Sequence, residues 1–420
     1  MTEHVATAAR FAFEATGAVE AFARIPSERP VLRMTPAGRT PWTRDGAAFH
    51  RDGGLAAAVR EDGVLVVRTS RTAEVRVEPL LRPAYDESSR GRRLVLDEAG
   101  GFGVFPTRPG GTRTGAASVF ALRPGDELWI SVCPVRELSL RRATQQIAHE
   151  GRPRPFPAGA YPSTAVIEDA GRHCQVLALH AYFWRSGPRR LDLRAGRYAL
   201  RRRPWTVARH EPSDPQEFAR VREDVRRAGM EFVVYLSPRH STAPDLDGEM
   251  RRVLDEYAVD GLYLDGIASD FRRCDEVLRR ARAVLGPDRI LYLNGSDEPF
   301  GTPRVRCPFL DAQADFVLRG DAGRGGLSRE RFLRWAVSGR NVSNAVGVWC
   351  HYGSSGRLVP ADRAPPADDI EAAVRNGVRL WRRSAWGKGL GEFDRLHQQA
   401  VAAAAAGTLS PPRRTPSSIG

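Results

Sequence analysis

The N-terminal part of the chain alternates apolar and polar positions in short runs. Between residues 39 and 134 these runs, such as residues 73–77 and 127–132, are separated by turn-forming Gly, Pro and Asp. A period of two is typical of strands that bury one face, and strands so closely spaced predict an antiparallel sandwich. We therefore predict a β-sandwich domain over residues 1–150, including an N-terminal extension and a connecting helix over residues 138–149.

After a segment rich in Pro and Gly over residues 151–162, the apolar runs become continuous and alternate with helical patterns. Continuous runs bounded by turn residues are typical of parallel strands that are buried on both faces. This alternation of strands and helices predicts an α/β domain. The main strand-like runs lie at residues 176–180, 232–236, 261–264, 290–293, 314–318 and 345–349.

The α/β pattern allows two architectures, a doubly wound sheet or a barrel. No Gly-x-Gly-x-x-Gly motif follows any of the strands, which removes the main support for a nucleotide-binding sheet. Weaker runs at residues 163–167 and 378–381 bring the strand number to eight. We predict a (β/α)8 TIM-type barrel over residues 151–404, followed by a disordered tail over residues 405–420.

The composition is that of a globular protein, and it narrows the choice of partners. Of 420 residues, 42% are hydrophobic, and the formal net charge is +14. The positive charge comes almost entirely from scattered arginines, with Lys388 the single lysine, so we expect a solvated basic surface and no nucleic-acid binding. The five cysteines show no Cys-x-x-Cys spacing, which predicts neither a disulfide framework nor a zinc site.

Neither a secretion signal nor a membrane span is evident in the sequence. Charged residues interrupt the apolar stretch over residues 5–23, and no run approaches the roughly 18 to 20 apolar residues of a membrane helix. We therefore expect a cytoplasmic protein that does not bind membranes. The oligomeric state is left open.

The strand ends carry the candidate chemistry, because the residues that follow barrel strands share the rim on which TIM-barrel active sites lie. The run at residues 259–266, VDGLYLDG, brings Asp265 to this rim. An Asp-Gly pair is also common in simple turns, so the run alone does not decide the role of Asp265. The other candidates combine rings and hydrogen-bonding groups of the kinds that bind sugars: His180, Trp184, Tyr235, Ser237, Asn294, Arg319, His351 and Trp386.

Glycoside hydrolysis requires a second carboxyl group. Retaining enzymes hold the nucleophile and the acid/base about 5 to 5.5 Å apart, and inverting enzymes hold the pair about 6.5 to 9.5 Å apart. Asp321 follows a strand that is separated by one strand from that of Asp265, so the two acids can face each other across a sugar. Asp297 and Glu298 are a rival pair, since adjacent carboxyls serve mechanisms assisted by an N-acetyl group of the substrate.

Three segments of the chain resemble strands of a known group of enzymes. Residues 232–238, 260–266 and 314–321 are similar to the third, fourth and sixth strands of glycoside-hydrolase-like barrels that carry an N-terminal β-sandwich. These barrels are akin to the alpha-galactosidase clan and glycoside hydrolase family 36, and their nearest members are largely uncharacterised. The resemblance extends over residues 129–386.

The resemblance implies a retaining glycosidase in which Asp265 is the nucleophile and Asp321 is the acid/base. Two features depart from the pattern. The uncharacterised relatives favour Glu where this chain has Asp321, and the tryptophan-rich first strand of the group is not evident here.

Two other functions are compatible with the sequence. A catalytically inactive barrel would bind glycans or partner proteins, with its carboxyl groups too far apart to cooperate. A metal-dependent hydrolase would use rim residues such as His180, His240, Asp265 and His351, although no short ligand motif links them. We favour a glycosidase that acts on a carbohydrate substrate without a cofactor or a metal.

Overall fold

Two compact units make up the chain. The computed structural model describes residues 2–6, 8–150, 161–185, 206–296, 298–320, 323–350, 364–384 and 387–407. Unit 1 comprises Met1–Ser139, Phe300–Ala312 and Gly339–Ala345, and unit 2 comprises Leu140–Pro299, Gln313–Ser338 and Val346–Gly420. Residues 140–150, which the sequence analysis assigned to the first domain, lie in unit 2. The predicted tail beyond residue 407 lies outside the described residues.

Unit 1 is built from two antiparallel sheets, which confirms the predicted sandwich. Its strands are β1 (Thr2–Val5), β2 (Ala9–Phe13), β3 (Val19–Ala23), β4 (Arg29–Pro36), β5 (Thr43–Asp45), β6 (Ala48–Arg51), β7 (Leu55–Val59), β8 (Val64–Thr69), β9 (Ala73–Pro79), β10 (Tyr85–Ser89), β11 (Arg92–Asp97), β12 (Gly100–Pro106), β13 (Thr112–Thr114), β14 (Ala117–Leu122) and β15 (Glu127–Cys133). The sheet orders are β1-β2-β3-β4-β9-β14-β13 and β10-β11-β12-β15-β8-β7-β6-β5. Alternate residues of β3 and β7 are buried, and both sheets contribute to one apolar core that includes Phe11 and Phe102.

Unit 2 contains a closed barrel of eight parallel strands. They are β16 (Ile147–Glu150), β17 (Val176–Leu179), β18 (Glu231–Leu236), β19 (Gly261–Leu264), β20 (Ile290–Asn294), β21 (Phe316–Arg319), β22 (Val346–Trp349) and β23 (Arg379–Leu380), and each pairs with the next. The residues after β23 close the barrel, because His149 N donates to Arg382 O (2.9 Å) and Arg382 N donates to Ile147 O (3.0 Å). The predicted TIM-type architecture is therefore confirmed.

The helices alternate with these strands. They are α1 (Leu140–Thr144), α2 (Thr164–Gly171), α3 (Pro215–Arg227), α4 (Leu246–Glu256), α5 (Phe271–Leu285), α6 (Pro308–Asp311), α7 (Arg329–Arg331), α8 (Ala367–Arg375) and α9 (Gly389–Ala405), with a π-helical turn at Phe332–Val337. Asp214, Asp245 and Asp270 cap the N-termini of α3, α4 and α5 by accepting backbone N–H groups. Within the described ranges, none of the helices has the length and apolarity needed to cross a bilayer.

The start of the barrel differs from its sequence prediction. Residues 163–167, predicted as the first strand, begin helix α2, and Ser163 caps that helix by accepting from Val166 N. The predicted helix over residues 138–149 is wrong in its second half, because β16 occupies Ile147–Glu150. This strand has only four residues and ends in His149 and Glu150, so it lacks the apolar run by which the other strands were recognised.

Two carboxylates at the N-terminal face of the barrel link neighbouring strands by hydrogen bonds. Asp260 precedes β19 and accepts from Phe232 N (2.8 Å). Asp315 precedes β21 and accepts from Leu291 N (2.8 Å) and from Arg282 Nη2 (2.8 Å). This face of a TIM barrel serves stability, in contrast to the opposite rim.

Asp315→Ala is expected to lower the free energy of unfolding by about 2 to 3 kcal/mol, since it leaves the buried Leu291 N–H without its acceptor. Urea denaturation followed by circular dichroism measures the change. The matched control is Asp255→Ala, which breaks an exposed ion pair with Arg289 (3.1 Å). That pair should contribute less than about 1 kcal/mol, and equal losses in the two variants would contradict the role of Asp315.

Candidate active site at the C-terminal end of the barrel

Three tyrosines line one side of the barrel interior. Tyr235, Tyr263 and Tyr292 stand in register on β18, β19 and β20, so their side chains point to the same face. The rings of Tyr263 and Tyr292 are stacked with centroids 4.5 Å apart, and Tyr235 meets Tyr263 edge to face at 5.6 Å. Barrel interiors are usually filled by Val, Ile and Leu. This interior instead presents aromatic rings that carry hydroxyl groups.

The first and last strands complete this aromatic layer. His149 of β16 stacks on Trp381 with ring centroids 4.8 Å apart, and it meets Tyr263 edge to face at 5.3 Å. Only 2% of His149 is exposed, so its ring is buried in the barrel interior below the C-terminal rim. His149 is not among the site residues predicted from the sequence, because the segment that contains it was predicted as helix.

Asp265 is the first residue after β19, and it lies two residues beyond Tyr263 on the same face of the strand. Its carboxylate is half-buried, and the hydroxyl of Tyr235 donates to Oδ2 at 3.4 Å. Its own N–H donates to Leu236 O (3.2 Å). The carboxylate therefore points into the interior at the C-terminal end of the fourth barrel strand.

The residue after Asp265 adopts a left-handed backbone conformation that favours glycine. Gly266 has φ 58°, and a Cβ there would lie 3.1 Å from the Ser237 Oγ. The Gly266 carbonyl accepts from Arg239 N (2.8 Å) and from Ser237 Oγ (3.4 Å). The buried Ser237, predicted to bind substrate, thus holds the backbone next to Asp265.

His180 is the first residue after β17 and lies beside Tyr235. Its ring centroid is 4.9 Å from that of Tyr235 and 6.0 Å from that of Tyr263. The ring is half-buried and on the interior face. The structure thus brings together three of the residues that the sequence singled out, namely His180, Tyr235 and Asp265.

Two other predicted residues are turned away from the interior. Trp184 is only 2% exposed, so neither face of its ring is open to a sugar. Its indole N–H donates to Tyr235 O (2.7 Å). Arg319 lies on the face of β21 opposite to Phe316, whose ring contacts Tyr292 in the interior. Its guanidinium occupies the space that a Cβ on Gly295 would need.

Asn294 at the end of β20 stays on the interior face, two residues beyond Tyr292. It is half-buried, and its Oδ1 accepts from Ser296 N (3.2 Å). The remaining predicted residues, Asp321, His351 and Trp386, lie outside the described residues, as does Asp297 of the rival pair. The distance between the carboxyl groups of Asp265 and Asp321 therefore stays a prediction.

Glu150, at the end of the first barrel strand β16, is a buried carboxyl group close to the residues that follow the last strand. It is not among the site residues predicted from the sequence. Glu150 accepts from Ser384 N (2.7 Å) and Ser384 Oγ (2.5 Å). Burial raises the pKa of Glu150, although the bonds from Ser384 and the nearby charges of Arg383 and Arg382 oppose the rise. Glu150 points to the face opposite to His149, so it joins strand ends and does not line the interior.

Among the described residues, no cluster of three or more His, Cys, Asp or Glu side chains is arranged to hold a metal ion, and His351 lies outside these residues. His240 is half-buried in the loop after β18. Burial, followed by the charge of Arg239, lowers the pKa of His240.

Several solved structures resemble this fold at low sequence identity. Ligand-free alpha-N-acetylgalactosaminidase NagBb from Bifidobacterium bifidum is 10% identical, with 95% of this chain and 93% of that chain covered and a TM-score of 0.40. A beta-arabinopyranosidase is 10% identical, with 94% and 84% covered and a TM-score of 0.41. The maltogenic alpha-amylase AmyB from Thermotoga neapolitana is 11% identical, with 62% and 77% covered and a TM-score of 0.40.

No family model matches the chain, and no curated protein matches it. At identities near 10% and TM-scores near 0.4, the structural similarities assign no activity to this chain.

Proposed function

We propose that this chain is a glycoside hydrolase that cleaves a glycosidic bond by a retaining, double-displacement mechanism. The observation that carries the proposal is the position of Asp265. Its carboxylate ends the fourth strand of a TIM-type barrel, where active sites of this fold lie, and it faces an interior of aromatic rings beside the hydroxyl of Tyr235. The sequence resemblance to glycoside-hydrolase-like barrels supports the same role for Asp265.

In the proposed first step, a carboxylate oxygen of Asp265 attacks the anomeric carbon of the sugar. The bond from that carbon to the leaving oxygen breaks, and Asp321 donates its proton to the leaving oxygen. In the second step, Asp321 removes a proton from a water molecule as its oxygen attacks the same carbon, which releases Asp265 and restores the proton of Asp321. Each group ends in its starting state.

A panel of aryl glycosides tests the proposal. We expect the wild-type protein to release the aryl group from at least one glycoside, with the anomeric configuration of the sugar retained in the first product by NMR. An activated 2-deoxy-2-fluoro glycoside of the same sugar should label the protein with one sugar mass, and peptide mapping should place the label on Asp265. A protein that binds sugars by calorimetry but neither cleaves nor becomes labelled would instead be a catalytically inactive glycan-binding barrel.

A further inference from the structure

The contacts of Tyr235 suggest a role other than the substrate binding predicted from the sequence. We propose that Tyr235 is a positioning residue, whose phenol hydroxyl fixes the orientation of the Asp265 carboxylate for attack. This inference rests on the proposed glycosidase function and adds to it the residue that sets the geometry of the nucleophile.

Tyr235 is held on three sides. Its carbonyl oxygen accepts from the indole N–H of Trp184 (2.7 Å), the ring of His180 packs against it at 4.9 Å, and the edge-to-face contact with Tyr263 confines it from the neighbouring strand. Only 4% of Tyr235 is exposed. A ring held in this way keeps its hydroxyl at one place in the barrel interior, because a change of rotamer would collide with its neighbours.

The hydroxyl donates to the Oδ2 atom of Asp265 at 3.4 Å. A donor on one carboxylate oxygen fixes the plane of the group, so the other oxygen keeps a single direction. A nucleophile gains rate when it is held close to the geometry of attack before the reaction begins. The bond from Tyr235 also persists when Asp265 forms the ester with the sugar, since the oxygen that accepts it then becomes the ester carbonyl.

Tyr235→Phe removes the hydroxyl and keeps the ring, so the packing of His180 and Tyr263 should survive. We expect kcat on the best aryl glycoside to fall by about 10- to 100-fold, the range set by one hydrogen bond to a charged group, while KM stays within about twofold. The rate of labelling of Asp265 by the fluoro glycoside should fall by the same factor.

Tyr161→Phe is the matched control. It removes a hydroxyl that donates to Phe183 O (3.2 Å) in the same unit, and it should leave kcat and KM unchanged.

Trp184→Phe is a second test that leaves both the Tyr235 hydroxyl and the Asp265 carboxylate in place. It removes the donor to Tyr235 O, and it should lower kcat by about 2- to 10-fold at constant KM.

The outcomes separate the two proposals. A rise in KM with little change in kcat would make Tyr235 a substrate contact and overturn the positioning role. An unchanged kcat and labelling rate in folded Tyr235→Phe would overturn it as well, while labelling of Asp265 in the wild type would still uphold the glycosidase. If the wild type neither cleaves nor becomes labelled, the glycosidase proposal fails and the positioning role fails with it.

Discussion

Asp265→Asn is expected to lower kcat on an aryl glycoside by about 10⁴-fold or more, the size of loss that follows removal of a catalytic group from a cooperating site. The exchange preserves the shape of the side chain and an acceptor for Tyr235, so the fold and sugar binding should persist. An amide oxygen is a poor nucleophile toward the anomeric carbon, because it lacks the negative charge of the carboxylate. The variant should therefore bind sugar without turning it over.

Chemical rescue sharpens this test. In Asp265→Ala, added azide should enter the space of the missing carboxylate, attack the anomeric carbon and give a glycosyl azide of inverted configuration. The matched control is Asp270→Asn in the same loop, since Asp270 caps helix α5 by accepting from Arg272 N (3.0 Å) and Asn serves as a cap equally well. Turnover by Asp265→Asn equal to that of the wild type would refute the assignment of the nucleophile.

Glu249→Gln is expected to lower the free energy of unfolding by about 3 to 5 kcal/mol. Glu249 is only 7% exposed, and it accepts from His210 N (2.6 Å), from His210 Nδ1 (3.0 Å) and from two nitrogens of Arg252 (2.8 Å each). Removal of its charge leaves the Arg252 guanidinium without its main counterion.

Urea denaturation at pH 7 measures this effect. Glu256→Gln is the control, because Glu256 is exposed and bonds to the same arginine at 2.7 Å. An exposed pair of this kind should contribute less than about 1 kcal/mol. Equal losses for the two glutamates would contradict the structural role assigned to Glu249.

The stabilisation from Glu249 should depend on pH. Burial opposes ionisation of this carboxyl, but the hydrogen bonds from Arg252 and His210 prevail and lower the pKa of Glu249 from 4.5 to about 2. A depressed carboxyl pKa stabilises the folded state fully above the unfolded value of 4.5, and this stabilisation is lost as the pH falls toward 2. The stabilities of the wild type and Glu249→Gln should therefore converge across that interval.

Protonation linked to His397 should lower the stability of the fold at a higher pH than protonation linked to Glu249. Burial, followed by the charge of Arg379, lowers the pKa of His397 from 6.5 to about 4. The unfolded chain then takes up a proton at a higher pH than the folded chain, so the stability that neutral His397 provides declines as the pH falls from 6.5 toward 4.

The apolar runs of the sequence were enough to predict most of the barrel. Strand β19 coincides with the predicted run at Gly261–Leu264, and the last strand, β23, lies within its predicted run. These segments are buried on both faces of a parallel sheet, so their consecutive residues are apolar and the strands can be recognised in the sequence. Strand β16 has no such apolar run. Its place in the sheet depends on hydrogen bonds to β17 and to Arg382, which lie far away in the chain.

The sequence by itself determined the two-layer β-sandwich, seven of the eight barrel strands and the position of Asp265 directly after one of them, because each follows from a local pattern of burial and a turn after it. The tertiary structure decided the first barrel strand, β16. Only the tertiary structure decided which side chains meet Asp265. The hydroxyl of Tyr235 reaches it, whereas Trp184 and Arg319 face away. The reason is that strand register sets the face of every side chain, and a shift of one residue reverses it.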